Sequence, residues 1–326
     1  MPRRDIVVIG ASVGGVEALQ EIAHGLPADY PGTIFVVLHT GPGSVLPEIL
    51  SRAGKVKALA AENDVPYEPN HIYVAPPNRH LLINDGVMQL DAGARENGSR
   101  PAIDPLFRSA ARTHRSRVAG VILSGTLDDG SAGLFAVKAR GGVAIVQDPA
   151  EAAAPDMPLN AMRNVKADYC LPVHELAPLL MKLASSEAAQ REICSENKLP
   201  MDPAAEPFID PPAILQDPPS NDTQIALVCP ECSGALYEQR DGSVVNFRCH
   251  VGHTFSPETL SAAHKEALER ALWTAMRTLN ERITMHSQFL RRHRNPGEEA
   301  LFKRFEESAQ SAERDVELLR DIISRI

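Results

Sequence analysis

The stretch that most narrows the fold is residues 5–19, DIVVIGASVGGVEAL. Ile6 to Ile9 is a β-branched run bounded by Gly10, the pattern of a fully buried strand, and Val16 to Gln20 opens a helical pattern. Between them, Gly10-Ala11-Ser12-Val13-Gly14-Gly15 must turn strand into helix within a few residues. Glycines on both sides let the backbone bend without a Cβ clash, which pushes Ser12, the one polar side chain of the turn, out at the carboxyl end of the strand. A serine nucleophile would be placed there. Other turns have similar spacing. A dinucleotide-binding turn needs G-x-G-x-x-G, yet Ser12 occupies its second glycine position, and a P-loop needs a Gly-Lys-Ser/Thr ending that is absent. A purely structural turn stays open on these residues alone.

A chain of 326 residues allows one sizeable α/β domain plus smaller modules. Its formal charge of −9 argues against nonspecific binding to nucleic acid or to an anionic membrane as the main activity. No apolar run reaches membrane-spanning length, and Met1-Pro2-Arg3-Arg4 leads into a strand without an apolar signal region, so a cytoplasmic protein without membrane insertion is expected. Five cysteines, three of them clustered between 229 and 249, do not read as a secreted disulfide framework.

Residues 1–185 alternate strand-like apolar runs with helical patterns, which predicts a doubly wound, mostly parallel sheet with helices on both faces. Thr33 to Leu38 is a second buried strand ending at His39, and helix signals follow from Ser44 to Arg52. His71–Ala75 and His80–Leu90 read as an antiparallel excursion, the latter turning at Asp85-Gly86. Asp104 to Thr113 is helical, with Asp104 as expected N-cap and Pro105 at the first helical position. Val118 to Leu123 is the next buried strand and runs into Ser124-Gly125-Thr126-Leu127-Asp128-Asp129-Gly130. A helix from near Ser131, a strand over Val143–Val146 and a helix over His174–Ala184 complete this part.

Strand ends thus carry Ser12, His39 and the Asp128-Asp129 pair. In a parallel sheet the carboxyl ends share one edge, where a serine, a histidine and an aspartate make a nucleophile, a general base and an orienting acid. The chain order Ser, His, Asp excludes the α/β-hydrolase family, whose order is Ser, Asp, His, but not a triad as such. Each residue also has a plainer role. His39, one of eleven histidines, could be a satisfied core histidine, and Asp128 could cap the helix beginning near Ser131. Physical reasoning leaves Asp128 and Asp129 as alternatives. Gly125 and Gly130 suggest an exposed backbone whose N–H groups could face a developing oxyanion.

From about Ile6 to Ala184 the chain resembles the catalytic domain of the chemotaxis protein-glutamate methylesterase (CheB) family. The resemblance lies in IGASVGGVEAL around Ser12, the strand running into His39, YVAPPNRHLLI from Tyr73, RPAIDPLFRSAA from Arg100 and GVILSGTLDDGSAGL from Gly120. It implies Ser12 as nucleophile, His39 as its base, Asp129 as third member and the Thr126 N–H on the oxyanion side. It further implies hydrolysis of glutamyl methyl esters on the helical bundle of a methylated chemoreceptor, giving glutamate and methanol, with glutamine deamidation in some relatives. Val13 stands where the family usually has Thr, Thr40-Gly41 replaces the usual Met-Pro, and Gly125-Thr126-Leu127 replaces Gly-Met-Gly. These departures bear on substrate choice and rate. Family members commonly begin with a phospho-accepting receiver domain. Here the catalytic strand starts at residue 5, so control by phosphorylation within the chain is not expected.

Residues 186–223 carry seven prolines between Pro200 and Pro219 with little apolar periodicity, the composition of a semi-extended linker. In 224–256, Cys229-Pro-Glu-Cys232, sixteen further residues and Cys249-His250-Val-Gly-His253 have the spacing of a zinc-ribbon-like module. The preferred ligands of a structural zinc are Cys229, Cys232, Cys249 and His253, with His250 as the alternate fourth, and Asp241-Gly242 would turn the hairpin between them. Four protein ligands leave no open position for catalysis. Residues 257–326 predict a helical hairpin. Leu260, Leu268, Leu272, Leu279, Ile283 and Leu290 mark one helix, Asn295-Pro296-Glu298 the break, and Leu301, Phe305, Ala312, Val316, Leu319 and Ile323 the other. Such a unit packs on itself or, as expected here, also forms a homodimer or docks a helical partner.

A serine-dependent esterase without a catalytic cofactor is therefore the expected function. A non-catalytic signalling adaptor built on the zinc module and hairpin, or a hydrolase of another ester or amide, are the alternatives.

Overall fold

The computed structural model describes residues 3–39, 41, 43–185, 223–241, 244–292 and 299–325. The chain forms two compact units, Met1–Leu260 and Ser261–Ile326. In the first, β1 (Ile6–Ala11), α1 (Gly15–Gly25), β2 (Thr33–Leu38), α2 (Leu46–Ala53), β3 (Lys57–Ala60), β4 (Val65–Pro66) and β5 (His71–Val74) follow in order. Then come β6 (His80–Asn84), β7 (Val87–Asp91), α3 (Ile103–His114), β8 (Val118–Ile122), α4 (Ser131–Ala139), β9 (Val143–Gln147), α5 (Asp156–Asn164), β10 (Tyr169–Leu171) and α6 (Val173–Ser185).

The main sheet has seven strands in the order β10-β9-β8-β1-β2-β5-β3, every pair parallel. Buried on both faces, β1 is apolar throughout. Val7, Ile9 and Ala11 pack with α1, α2 and α6, while Ile6 and Val8 pack with α3, α4, α5 and the β6/β7 hairpin. The connections leave β1 in opposite directions, toward β2 and toward β8, so the carboxyl edge of β1 is the switch point of the sheet.

Two expectations change here. His71–Val74 is a parallel strand between β2 and β3, and only His80–Asp91 forms the antiparallel excursion, joined by Asp85 and Gly86 at φ 42° and 86° and flanked by β4. An apolar run of four residues carries no signal of strand direction. The α3 helix starts at Ile103 with Ala102 as its N-cap and without a side-chain cap of its own. Asp104 is instead buried inside the first turn, its Oδ1 accepting the N–H of Gly133 at 2.6 Å. β3, β10 and α5 have no counterpart in the sequence reading, being short or weakly periodic.

Beyond 222, β11 (Thr223–Val228), β12 (Ala235–Asp241), β13 (Val244–Cys249) and β14 (Thr254–Phe255) form an antiparallel sheet. The expected linker and the expected turn at Gly242 lie outside the described residues. α7 (Pro257–Arg292) opens with Ser256 and Thr259 hydrogen-bonding reciprocally, the hydroxyl of each accepting the backbone N–H of Ser256 or Thr259. In the second unit, α7 and α8 (Glu299–Ile323) form a hairpin whose seam includes Met276, His286, Phe289, Phe305, Ala312 and Val316. Leu268, expected on that seam, is half exposed, and Met276 and His286 are the buried residues instead. The expected break at Asn295-Pro296-Glu298 lies outside the described residues, as does the side chain of Leu301.

Candidate active site and metal cluster

Ser12, His39 and Asp129 arise from three adjacent strands. Ser12 follows β1, His39 follows β2, and Asp129 sits between β8 and α4. The Ser12 turn is held by backbone and by Ser124. The Ser12 N–H donates to the Ser124 carbonyl at 2.9 Å, and the Ser124 hydroxyl donates to the Val13 carbonyl at 2.6 Å. Gly14, the N-cap of α1, has φ 76°, a conformation that favours glycine.

His39 Nε2 lies 2.8 Å from Asp129 Oδ2. With Asp129 ionised, Nε2 carries the proton and donates it, which leaves Nδ1 as the basic nitrogen of the neutral ring. Ser12 Oγ and the His39 ring are not hydrogen-bonded to each other in this structure.

Asp129 is the most heavily solvated group of the site, by protein donors in place of water. Oδ2 also accepts the Ile103 N–H at 2.7 Å, and Oδ1 accepts Asn97 Nδ2 at 2.9 Å and the Asp104 N–H at 3.3 Å. Two of these donors are the first free N–H groups of α3, so the carboxylate caps that helix from another part of the chain. α3 can approach because Gly10 has no Cβ, which would otherwise collide with Ile103 Cγ2. Burial pushes the Asp129 carboxyl up, but the hydrogen bond and charge of His39, the Ile103 N–H and Asn97 outweigh it, and the carboxyl is held below its ordinary value.

Its neighbours behave oppositely. Burial, and then the charge of Asp129, push the Asp104 carboxyl up to about 8, against the opposing Arg108 and Gly133 N–H. Asp128 is pushed up to about 7, chiefly by burial, although the Ser256 hydroxyl donates to its Oδ1 at 2.7 Å. The two aspartates that the sequence left as alternatives thus face different ways: Asp129 toward His39, Asp128 toward Ser256. Neither side chain caps α4, whose N-cap is Gly130.

The Thr126 N–H donates to no backbone carbonyl among the described residues. Its loop is pinned on both sides. The Gly125 N–H and C=O bond Ala154 and Met157, the Leu127 carbonyl accepts Asn160 Nδ2 at 2.8 Å, and Leu127 has φ 63°. Ser124, Asn97, Asp104 and Asn160 were not found by sequence reasoning. Asn97-Gly98 carries only a local turn pattern, and two of the partners of Asn97 are 32 and 159 residues away.

A second cluster lies in the small sheet. Cys229, Cys232, Cys249 and His253 place their ligand atoms within 4.8 Å of one another. Cys232 and Cys249 sulfurs are 3.5 Å apart, and His253 Nδ1 is 3.5 Å from Cys249 Sγ and 3.7 Å from Cys229 Sγ. Metal bonds of about 2.3 Å to sulfur and about 2.1 Å to nitrogen in a tetrahedron require ligand separations of this size. The Cys229 knuckle closes through N–H groups of Cys229 and Ser233, and Cys249 and His253 through the Cys249 N–H to His253 carbonyl bond. These residues fit a metal. His250, the alternate fourth ligand, is exposed and outside the cluster.

Residues 7–180 match the profile described as CheB methylesterase. A putative protein-glutamate methylesterase/protein-glutamine glutaminase of Leptospira interrogans is 37% identical over 190 residues, 57% of this chain and 98% of that protein. Protein-glutamate methylesterase FrzG of Myxococcus xanthus is 35% identical over 184 residues, of which this chain covers about half, 55%. The crystal structure of the Thermotoga maritima CheB methylesterase catalytic domain superposes with a TM-score of 0.54 at 33% identity, covering 56% of this chain and 99% of that domain. The matched residues end before the cysteine cluster, which the family resemblance does not reach. With more than half of its length matched, and with the carboxyl edge of its parallel sheet carrying the motifs described, the chain belongs to the CheB methylesterase family.

Proposed function

We propose that this protein is a serine-dependent protein-glutamate methylesterase acting on methylated chemoreceptors, with glutamine deamidation as a second activity of the same site. The observation that carries the reading is the 2.8 Å bond from His39 to a buried, ionised Asp129 on the strand edge that also presents Ser12. In this reading Ser12 Oγ attacks the ester carbonyl and passes its proton to His39 Nδ1, and the Thr126 N–H meets the developing oxyanion. The tetrahedral species collapses, methoxide takes the proton from His39 and leaves as methanol. Water, deprotonated by the same nitrogen, then attacks the acyl-serine and releases glutamate. For a glutamine side chain the leaving group is ammonia. Asp129 stays ionised throughout, fixing the ring and balancing the imidazolium charge.

The test is methanol release from a methylated receptor preparation by wild type and Ser12→Ala. Release lost in the variant, with a stoichiometric acyl adduct on Ser12 in wild type, is the expected result. Full activity in Ser12→Ala sinks the reading.

The donor set of three thiolates and one imidazole supports zinc as the ion, bound structurally, because no ligand position is left for substrate. Equimolar zinc by elemental analysis, lost in Cys232→Ser, checks this. No helix among the described residues is long and apolar enough to cross a membrane, and the proposed location, where the protein meets its receptor substrate, is the cytoplasm. Exposed Trp273 and Met285 on α7 support a partner-binding role for the hairpin.

A further inference from the structure

The side chain of Asn97 joins Asp129 to the segment that follows the cysteine cluster. Asn97 uses both polar atoms of its side chain and its backbone N–H. Its Nδ2 donates to Asp129 Oδ1 at 2.9 Å and to Asp104 Oδ2 at 3.0 Å. Its Oδ1 accepts the Ser256 N–H and the Thr259 hydroxyl, both at 3.1 Å, and its own N–H donates to the Thr254 carbonyl at 2.8 Å. The donor half of the amide thus faces the acid pair, and the acceptor half faces residues that immediately follow the metal-ligand candidate His253. The same segment reaches the acidic loop a second time, through the Ser256 hydroxyl on Asp128. It is also anchored beside Asn97, where the Thr254 N–H donates to the Arg95 carbonyl and Glu96 bridges to Thr254. Thr254, Ser256 and Thr259 are all buried.

An amide has two nearly isosteric orientations, and what separates them is which neighbours donate and which accept. Here the ionised Asp129 carboxylate demands an N–H on one side, where Asp104 Oδ2 takes the second Nδ2 hydrogen, and the Ser256 N–H and Thr259 hydroxyl demand an oxygen on the other. Without the segment 254–259, the oxygen half loses both of its donors and faces water, and the restraint that aims Nδ2 at Asp129 is weakened. Asp129 Oδ1 then keeps only the long 3.3 Å bond from Asp104 N–H as a fixed donor.

We propose that Asn97 is a positioning residue for the His39–Asp129 pair, and that the 254–259 segment makes the metal-binding module an integral part of the active-site scaffold, so that metal loading sets the rate of the chemical step. Asn97 touches no reacting atom. It acts through Asp129 on the orientation of the His39 ring. The kinetic arm of this inference rests on the esterase reading, and the spectroscopic arm does not.

The experiment uses the full chain as wild type, Ser256→Ala/Thr259→Val and Thr259→Ser, each with its metal, after chelation and after zinc is returned. Methanol release gives kcat and KM, and the low-field proton resonance of the His39–Asp129 hydrogen bond gives the geometry without substrate. The double variant removes the Thr259 hydroxyl from Asn97 Oδ1 and the Ser256 hydroxyl from Asp128, while the backbone N–H of residue 256 stays on Asn97. Loss of these two hydrogen bonds lowers kcat about tenfold to thirtyfold with KM unchanged, and the resonance shifts or broadens. Thr259→Ser, which keeps the hydroxyl, retains both. Chelation reproduces the loss in wild type, adds little to the double variant and is reversed by zinc. Wild-type kcat and an unaltered resonance in both the double variant and the metal-free protein overturn the proposal. A rise in kcat on chelation also overturns it, since the module would then be only a cover. If no form releases methanol, the esterase reading fails and the resonance alone decides this one.

Discussion

Asp129→Asn is the substitution for which the structure allows the most detailed expectation. The carboxylate accepts four N–H groups, two on each oxygen: His39 Nε2 and Ile103 on one, Asn97 Nδ2 and Asp104 on the other. An asparagine offers one oxygen and one NH2, so whichever way it turns, its NH2 meets two donors. If it faces His39 and Ile103, Nε2 must become the acceptor, the ring proton moves to Nδ1, and the nitrogen needed to take the serine proton is blocked. If it faces Asn97 and Asp104, the Asn97 amide is driven to turn and gives up its bonds from Ser256 and Thr259. Losing a hydrogen bond to a charged group costs about 1.5–3 kcal/mol, and a buried donor without an acceptor about 1–3 kcal/mol more. A penalty of about 3–5 kcal/mol expressed in the transition state corresponds to a loss of about 10²- to 10⁴-fold in kcat. Initial rates of methanol release at saturating methylated receptor measure it, alongside a thermal melt to establish that the variant is folded. A folded Asp129→Asn with kcat within about fivefold of wild type, the size of one neutral hydrogen bond, refutes the assignment of Asp129 as orienting acid.

Other consequences are open to measurement. Between its ordinary value of 3.8 and about 8, Asp104 holds a proton in the folded state that the unfolded chain has lost, and Asp128 does so up to about 7. Stability from these groups is therefore present at low pH and falls as pH rises through that window, so Tm is expected to drop from pH 5.5 to pH 8.5. Asp128→Asn, which keeps an acceptor for the Ser256 hydroxyl, should flatten the slope, and an unchanged slope contradicts this account. In Gly125→Ala the new Cβ would collide with Met157 Sδ and sit 2.8 Å from Ser12 Cβ, so a stability loss of about 1–3 kcal/mol and a reduced kcat are expected from denaturant unfolding and rate measurements. Val316→Asp places a carboxylate at a position 4% exposed on the α8 side of the hairpin seam, and circular dichroism of the variant should show lost helicity or an earlier melt.

The sequence marked the fold where residue type and spacing are themselves the cause. Short, largely β-branched apolar runs bounded by turn signals in β1, β2 and β8 match strands buried on both faces, and parallel strands joined by helices bring their carboxyl ends to one edge. Ser12, His39 and the Asp128-Asp129 pair followed from position alone. The Cys-x-x-Cys and Cys-x3-His pairs were legible in the same way, since a local turn fixes each pair of ligands whatever the rest of the chain does. Strand direction at His71–Val74 was not legible, because a short apolar run looks the same in either sense.

Choices among chemically similar residues belonged to the tertiary structure. Asp128 and Asp129 are neighbours of one type, and they differ in which partner their side chains meet, His39 from 90 residues away or Ser256 from 128. Asp104 reads locally as a helix cap. It is instead an enclosed acid, because Asp129 took the capping role at α3 from another segment. Asn97 shows the limit most plainly. Its local signal is a turn, while its four side-chain hydrogen bonds run to Asp104, Asp129, Ser256 and Thr259. Hydrogen bonds act over about 3 Å of space without regard to separation along the chain, so residues whose role is to join distant segments announce it only once the chain has folded.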